Sequence, residues 1–444
     1  MKRRKIKCLM AGLGIMLSLS MTSINIFAAE MNWTYNSETK TVSVKGYGMI
    51  NDASELTKYL KDAKKITVLP GVTKTDKNVF TNLGSIEEVE LPDGFLSIGN
   101  NSFSLSHNLK KINLPDSLVS IGSEAFMGCA SLGNLTIPKN VTEIGVNAFA
   151  NCSSMTQFSV SEENNSYVSV DGVIFTKDKK ELVMYPPGRH DEEYRIPDGT
   201  EVIREKAFSY NSNLTKVDLP RSVSEIGNYA FYFCDALDEI EFSSESGLKS
   251  IGDYAFYGCK VRSLYIPYGV ETVGKDAFKN CDTLTYIDFP GTVTKIGDNA
   301  LYGVSSLIKT GGFGGAAFDF AAGAGLPFSE TVRVKINGRE ISFDVPAVVR
   351  DGCTMVPMRK IFEELGAEVS WNDETQTATG EKNGIVCTFT IGDNVLYKNG
   401  EATELLAPAI LENDRTLVHV RAIAEAFGAE VDWNGETGLV IIEN

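Results

Sequence analysis

The sequence predicts a multidomain chain, a β-rich solenoid of stacked repeats followed by a small α+β domain with internal duplication. Three observations carry this reading. Phe80, Phe103, Phe126 and Phe149, then Phe208, Phe231, Phe256, Phe278 and finally Leu301, recur in steps of 23, 23, 23, 59, 23, 25, 22 and 23. A second column, Pro92, Pro115, Pro138, Pro197, Pro220, Pro267 and Pro290, keeps the same period and closes runs such as LKKINLP and LTKVDLP. Further on, VPMRKIFEELGAEVSWN (356–372) returns 62 residues later as VHVRAIAEAFGAEVDWN. Two columns at one period mark stacked repeats, and the later echo marks a duplicated domain.

The elements follow in chain order. Residues 1–29 read as a secretory signal peptide: MKRRKIK is basic, an apolar stretch follows, and Ala28 or Ala29 supplies the small cleavage residue. Cys8 precedes the apolar core, where a lipoprotein cysteine would not stand. The whole chain has a net charge of −16, and because 1–29 hold five Lys or Arg and no acid, the remainder carries −21. That balance argues against nucleic-acid binding, which needs a basic face. Residues 30–79 read as a capping hairpin, WTY and TVSV around a polar turn, and a first coil.

From 80 to 326 each unit alternates apolar and polar residues before its Pro, the pattern of a short strand. A second run ends in Ile-Gly, where Gly permits a bend, and xxAF turns the Phe inward. No single unit buries its own apolar side, so neighbours must stack. Phe103, Phe126, Phe149, Phe208, Phe231, Phe256 and Phe278 are therefore the expected repeat core. Cys129, Cys152, Cys234, Cys259 and Cys281 follow the Phe by three and read as a column of small buried side chains. The 59-residue step holds one coil plus an insertion, a hairpin near 160–190, with Asp171 and Gly172 as turn residues and Pro186-Pro187-Gly188 as a stop.

The unit LKKINLPDSLVSIGSEAFMGC resembles the BspA-type (treponemal-type) leucine-rich repeat of bacterial surface proteins, so that the solenoid is expected to be a leucine-rich-repeat solenoid. GGFGGAAFDFAAGAGLPF resembles the segment with which such arrays close. Residues 331–444, through their two VxxRxIxExxGAxVxWN lines, resemble the copper amine oxidase N-terminal domain, a module of exported Gram-positive proteins. Each line predicts a strand end, a helix stopped by Gly366 or Gly428, and a new strand. His419 departs from the first copy's Pro357. Arg359 and Arg421 are expected to bond carbonyls or Glu363 and Glu425, and Trp371 and Trp433 to sit in the core, an exposed Trp being one on which a sugar could stack. Cys353 and Cys387 lie in strand-like runs and are a candidate pair.

The amine oxidase name does not imply an enzyme. The resemblance would require several copper-binding histidines and an Asn-Tyr-Asp/Glu line, whereas this chain has His107, His190 and His419 far apart and only Asn228-Tyr229-Ala230. GFGGAA (312–317) imitates a dinucleotide fingerprint but reads as lacking a βαβ setting, and there is no HExxH, GxSxG or CxxC. No catalytic residue, metal ligand or cofactor is expected.

Eight of the sixteen tyrosines fall between 229 and 302. Tyr229 and Tyr254 precede the Phe by two, and Tyr232, Tyr257 and Tyr302 follow the Phe or Leu of that column by one. Equivalent positions stack, so aromatic stripes are expected, as gap filling or as a partner-binding patch that also takes in Tyr265 and Tyr268. The expected function is a secreted or cell-surface binding or adhesion protein, extracellular and envelope-associated, with a protein or glycan ligand. The C-terminal domain would attach non-covalently to the envelope, a cell-wall polymer being its candidate partner, since no LPxTG-like line or hydrophobic tail is present. The alternative is a glycan-binding or regulatory accessory of a secreted cell-wall enzyme. No transmembrane segment is expected in the mature chain.

Overall fold

The computed structural model describes residues 31–444 except positions 308, 344, 351, 413 and 414. The signal-peptide reading and Cys8 lie outside the described residues. Within most coils the run before the Pro forms a strand of three or four residues, the run ending in Ile-Gly a two-residue strand, and the xxAF stretch a chain of turns. Like strands of successive coils pair in parallel, as Lys216–Leu219 does with Glu239–Phe242 and Val202–Ile203 with Glu225–Ile226. The turns form a third ladder. The Phe N–H of one coil donates to the carbonyl of the Ala before the next Phe, at 2.7 Å from Phe103 to Ala125 and 2.8 Å from Phe256 to Ala277. The Gly after Ile is needed for this close stacking, because a Cβ on Gly145 would stand 2.3 Å from the Ser123 nitrogen.

Inside, Phe103, Phe126 and Phe149 stack at 5.4 and 5.2 Å, and Phe208, Phe231, Phe256 and Phe278 at 4.7, 5.0 and 5.4 Å, all buried. The five cysteines of the repeat are fully buried. Each thiol donates to the Phe carbonyl one coil earlier at 3.1 to 3.2 Å. Burial pushes the Cys129 and Cys281 thiols up to about 12, which keeps them neutral.

The insertion does not protrude. Tyr167–Val170, Val173–Thr176 and Glu181–Met184 form an antiparallel meander, and the last of them pairs in parallel with Val202–Ile203 of the following coil. Its strands are buried on both sides: Ile174, Val183 and Met184 join the core of the preceding coils, while Val173, Phe175 and Leu182 join that of the following coils. Asp171 (φ 49°) and Gly172 (φ 77°) make the tight turn, and Arg189 holds the Asp171 carboxylate at 2.7 Å. The Phe column is interrupted here, and Tyr185 replaces the missing ring by stacking on Phe208 at 4.9 Å.

At its other end the array closes through strand Lys309–Gly312, helix α1 (Gly315–Ala324) and strand Phe328–Glu330, which pairs in parallel with the first. The glycine run therefore does stand between a strand and a helix, contrary to the reading that it lacks such a setting. Its helix start is covered, since the Phe313 ring packs on Gly438 and a Cβ on Gly314 would meet the Gly291 and Glu436 carbonyls at 3.9 and 4.0 Å.

Among its described residues the C-terminal domain holds three sheets and two helices, α2 (Met358–Glu364) and α3 (Val420–Ala426), of seven residues each, so strands dominate it. The duplication meets itself where Cys353–Pro357 pairs antiparallel with Arg415–His419. Arg421 bonds Glu425 at 3.3 Å and the Val431 carbonyl at 2.9 Å; Arg359 is exposed. The two candidate cysteines stay apart, and one expectation, that of the tryptophans, fails. Cys387 carries a free thiol in the main core, whereas Cys353 packs in a separate cluster with Met355 and Leu417, so the two are not bridged. Trp371 lies at the core margin, and Trp433, 36% exposed, leaves the core to pack edge-on against Phe313 of the array at 5.8 Å.

Candidate functional site

The turn side of the array contains two columns of left-handed backbone. Two residues before each Phe, φ runs from 52° to 60°, and two residues after it from 52° to 77°. Asn and Gly adopt this conformation at least cost, and they fill most places, among them Asn101, Asn147, Asn151 and Gly128. Four aromatic residues stand there instead: Tyr229 and Tyr254 in the first column, Tyr210 and Phe233 in the second. A bulky side chain in this region is strained by roughly 1–2 kcal/mol. The four aromatic residues lie in three adjacent coils, while Leu105, Glu124 and Lys206 take the same backbone at other places in the columns.

Tyr232 and Tyr257, one residue after the Phe, fill the space between the columns. Tyr232 lies 5.6 Å from Tyr210, 5.3 Å from Tyr229, 4.7 Å from Phe233 and 5.1 Å from Tyr257. Tyr229 and Tyr254 stack face to face at 4.7 Å with planes 2° apart. Six rings thus form one continuous surface. Lys206 lies over Tyr229 at 5.2 Å, and Lys279 bridges Tyr257 (5.9 Å) to Tyr302 (5.2 Å), whose side chain is 64% exposed. Such cation–π contacts hold the lysines along the rim.

Three of the phenols are held in the protonated form. Asp276 beside Tyr254 pushes its hydroxyl up to about 12, and burial raises those of Tyr232 and Tyr210. The surface therefore offers apolar ring area with hydrogen-bonding tips. Tyr229, Tyr232, Tyr254 and Tyr257 are brought together, with Tyr302 one lysine away. Tyr210 and Phe233 were missed in the sequence; their signal was the place two residues after the Phe, where the other coils have Asn or Gly except for Leu105.

Residues 59–174 and 192–311 match the BspA type leucine rich repeat region, in six copies. The chain belongs to the BspA-type leucine-rich-repeat family. Residues 335–442 match the copper amine oxidase N-terminal domain. Among solved structures, the pneumococcal vaccine antigen PcpA is 24% identical with a TM-score of 0.50, over 64% of this chain and 86% of that one. A leucine rich cell surface protein from Faecalibacterium prausnitzii A2-165 is 25% identical with a TM-score of 0.46, over 65% and 95%. A leucine-rich repeat protein from Eubacterium ventriosum is 19% identical with a TM-score of 0.47, over 62% and 92%. The likeness to PcpA is one of fold.

The longer-strand side of this BspA-type array has a different chemistry. Charges there pair across coils: Lys216 holds Glu239 at 2.8 Å and Glu241 at 2.6 Å, and Lys110 with Lys64 holds the Glu87 carboxyl down to about 2. Tyr265 and Tyr268 stand on this side, away from the six rings and against the C-terminal domain. Arg333 lies over Tyr265 at 5.9 Å and Lys335 over Tyr268 at 4.6 Å, and the Tyr268 hydroxyl meets Thr437 at 3.1 Å. A polar cleft of about 1110 Å³ runs beside this junction. Among the described residues no group of three or more His, Cys, Asp or Glu is placed to hold a metal, and no helix is long and apolar enough to cross a membrane.

Proposed function

We propose that this chain is a secreted or cell-surface binding protein. The repeats present the surface of Tyr210, Tyr229, Tyr232, Phe233, Tyr254 and Tyr257 to a protein partner, and the C-terminal domain attaches non-covalently to the cell envelope. The observation that carries the reading is strain: left-handed positions that Asn or Gly would occupy more cheaply hold aromatic rings in three adjacent coils, Tyr210 and Phe233 exposed and Tyr229 and Tyr254 half-buried beside them. A protein partner is favoured over a glycan by the ring geometry. Sugars stack on free ring faces, but here Tyr229 and Tyr254 cover each other, Tyr210 and Phe233 stack with planes 13° apart, and Tyr232 stands edge-on to Tyr210, Tyr229 and Phe233. Surfaces of that kind resemble Tyr-rich paratopes. The reading is non-enzymatic, since the repeat family is one of surface proteins and the amine oxidase name covers only an N-terminal domain.

The test uses the double variant Tyr210→Asn/Phe233→Asn. Asn relieves the backbone, which offsets the lost ring contacts, so stability is expected to stay within about 1 kcal/mol of the parent. Adhesion to host or neighbouring bacterial cells is expected to fall by roughly ten-fold or more, the scale of losing central aromatic anchors. Unchanged adhesion would remove the patch from the reading. Attachment is checked separately by sedimenting the full chain with purified bacterial cell walls: it is expected in the pellet, and a chain that stays in the supernatant defeats the envelope part.

A further inference from the structure

The aromatic surface leads past Tyr302 to a pocket of about 780 Å³ between the last coil and α1, lined by Leu301, Tyr302, Phe320 and Leu326 with Asp298 and Asp319 among its polar lining. Two departures from the surrounding pattern bear on this pocket. The Phe column ends in Leu301, a side chain smaller than the rings before it, and it lines this pocket. Opposite it, α1 carries Gly323, where Ala would hold the helix better. No close neighbour demands that Gly: its backbone is not left-handed, and a Cβ there would meet nothing within 4 Å. A glycine with neither a turn nor a crowded contact to explain it has one visible consequence, which is to keep the pocket wall clear.

We propose that this pocket is the anchoring subsite of the same partner, taking a large aliphatic or aromatic side chain that lies next to a Lys or Arg on an extended segment. The proposal rests on the reading of the aromatic surface as a protein-binding face. The apolar floor sets the anchor. Asp298 and Asp319 are both exposed, and the pocket lining contains no basic side chain to neutralise them, so charge complementarity selects a basic neighbour. Tyr302 stands at the mouth, so a segment seated in the pocket continues onto Tyr257 and Tyr232.

A random dodecapeptide library displayed on phage, selected on the full chain, tests this. Selected peptides are expected to share a large apolar residue within two positions of Lys or Arg. They should bind at least about ten-fold more weakly to Gly323→Leu, which fills the pocket. The Tm of that variant should be unchanged or higher, because Leu is the better helix former. Asp319→Lys should weaken the same peptides without emptying or filling the apolar floor. Peptides that bind Gly323→Leu as they bind the parent, or a selection that yields no clone able to tell the two apart, overturn the proposal. If those peptides nevertheless fail on Tyr210→Asn/Phe233→Asn, the aromatic surface stands and only the pocket falls.

Discussion

Phe231→Ala is expected to destabilise the repeat array by about 3–5 kcal/mol, the cost of truncating a fully buried Phe whose surroundings cannot collapse. Phe231 is 0% exposed and sits between Phe208 at 4.7 Å and Phe256 at 5.0 Å. Its neighbours are fixed by backbone ladders on both sides: the Phe208 N–H donates to Ala230 at 2.8 Å and the Phe231 N–H to Ala255 at 2.7 Å. Spacing between coils is therefore set by hydrogen bonds, and a missing ring leaves a void. Because each coil touches only its neighbours, the damage should be local. Hydrogen exchange should show lost protection from about Phe208 to Phe278, while amides near Phe103 and Phe126 keep theirs. Phe231→Leu is the control, since the array already tolerates Leu301 at the equivalent place in its last coil; it should recover most of the loss. A cost below about 1 kcal/mol for the Ala variant in urea denaturation would mean that the rings fill space without holding the coils together.

The repeat array was readable because its constraint is periodic. Phe, Pro and Ile-Gly recur in step, and the physics that places one coil places them all. The insertion was readable as strands and turn, but not as a partition between two cores. Period-2 alternation shows that a strand has two faces and says nothing of what covers each, and here both are covered. The glycine run at 312–317 was misread for a related reason, since strand Lys309–Gly312 becomes one side of a strand–helix–strand unit only through its parallel partner Phe328–Glu330. Among candidate binding residues, Tyr229, Tyr232, Tyr254 and Tyr257 were legible as repeat-equivalent positions. Tyr210 and Phe233 were not, because left-handed backbone is a property of the coil that an aromatic letter conceals. Tyr265 and Tyr268 recur in no other coil, and their side of the array meets the C-terminal domain, a contact between segments with no shared pattern.

That contact carries the second large effect. Arg333→Met is expected to cost about 3–5 kcal/mol, as removal of one member of a buried ion pair does when the other stays behind. The Arg333 side chain is 11% exposed and that of Asp288, on the array, 3%. The guanidinium pairs with Asp288, binds Glu340 at 2.8 Å and donates to the Ile266 and Asp288 carbonyls at 3.0 and 3.2 Å. Removing it leaves the Asp288 carboxylate buried with only the hydroxyls of Thr331 and Tyr286 around it. The same site ties strand Arg339–Glu340 to the array at two further points, because the Glu340 N–H donates to the Ser244 carbonyl at 2.9 Å and its carboxylate accepts from the Tyr268 N–H at 2.9 Å. Losing Arg333 should therefore loosen the domain as well as lower stability, and small-angle scattering should show a larger radius of gyration. Arg333→Lys should fall between parent and Met variant, because a point charge cannot reach both carboxylates and both carbonyls in one plane. Adding Asp288→Asn to Arg333→Met should return part of the loss, since the stranded charge goes with it. An unchanged radius of gyration and Tm in Arg333→Met would show that the Phe313–Trp433 contact and the Tyr268–Thr437 bond suffice to hold the two domains.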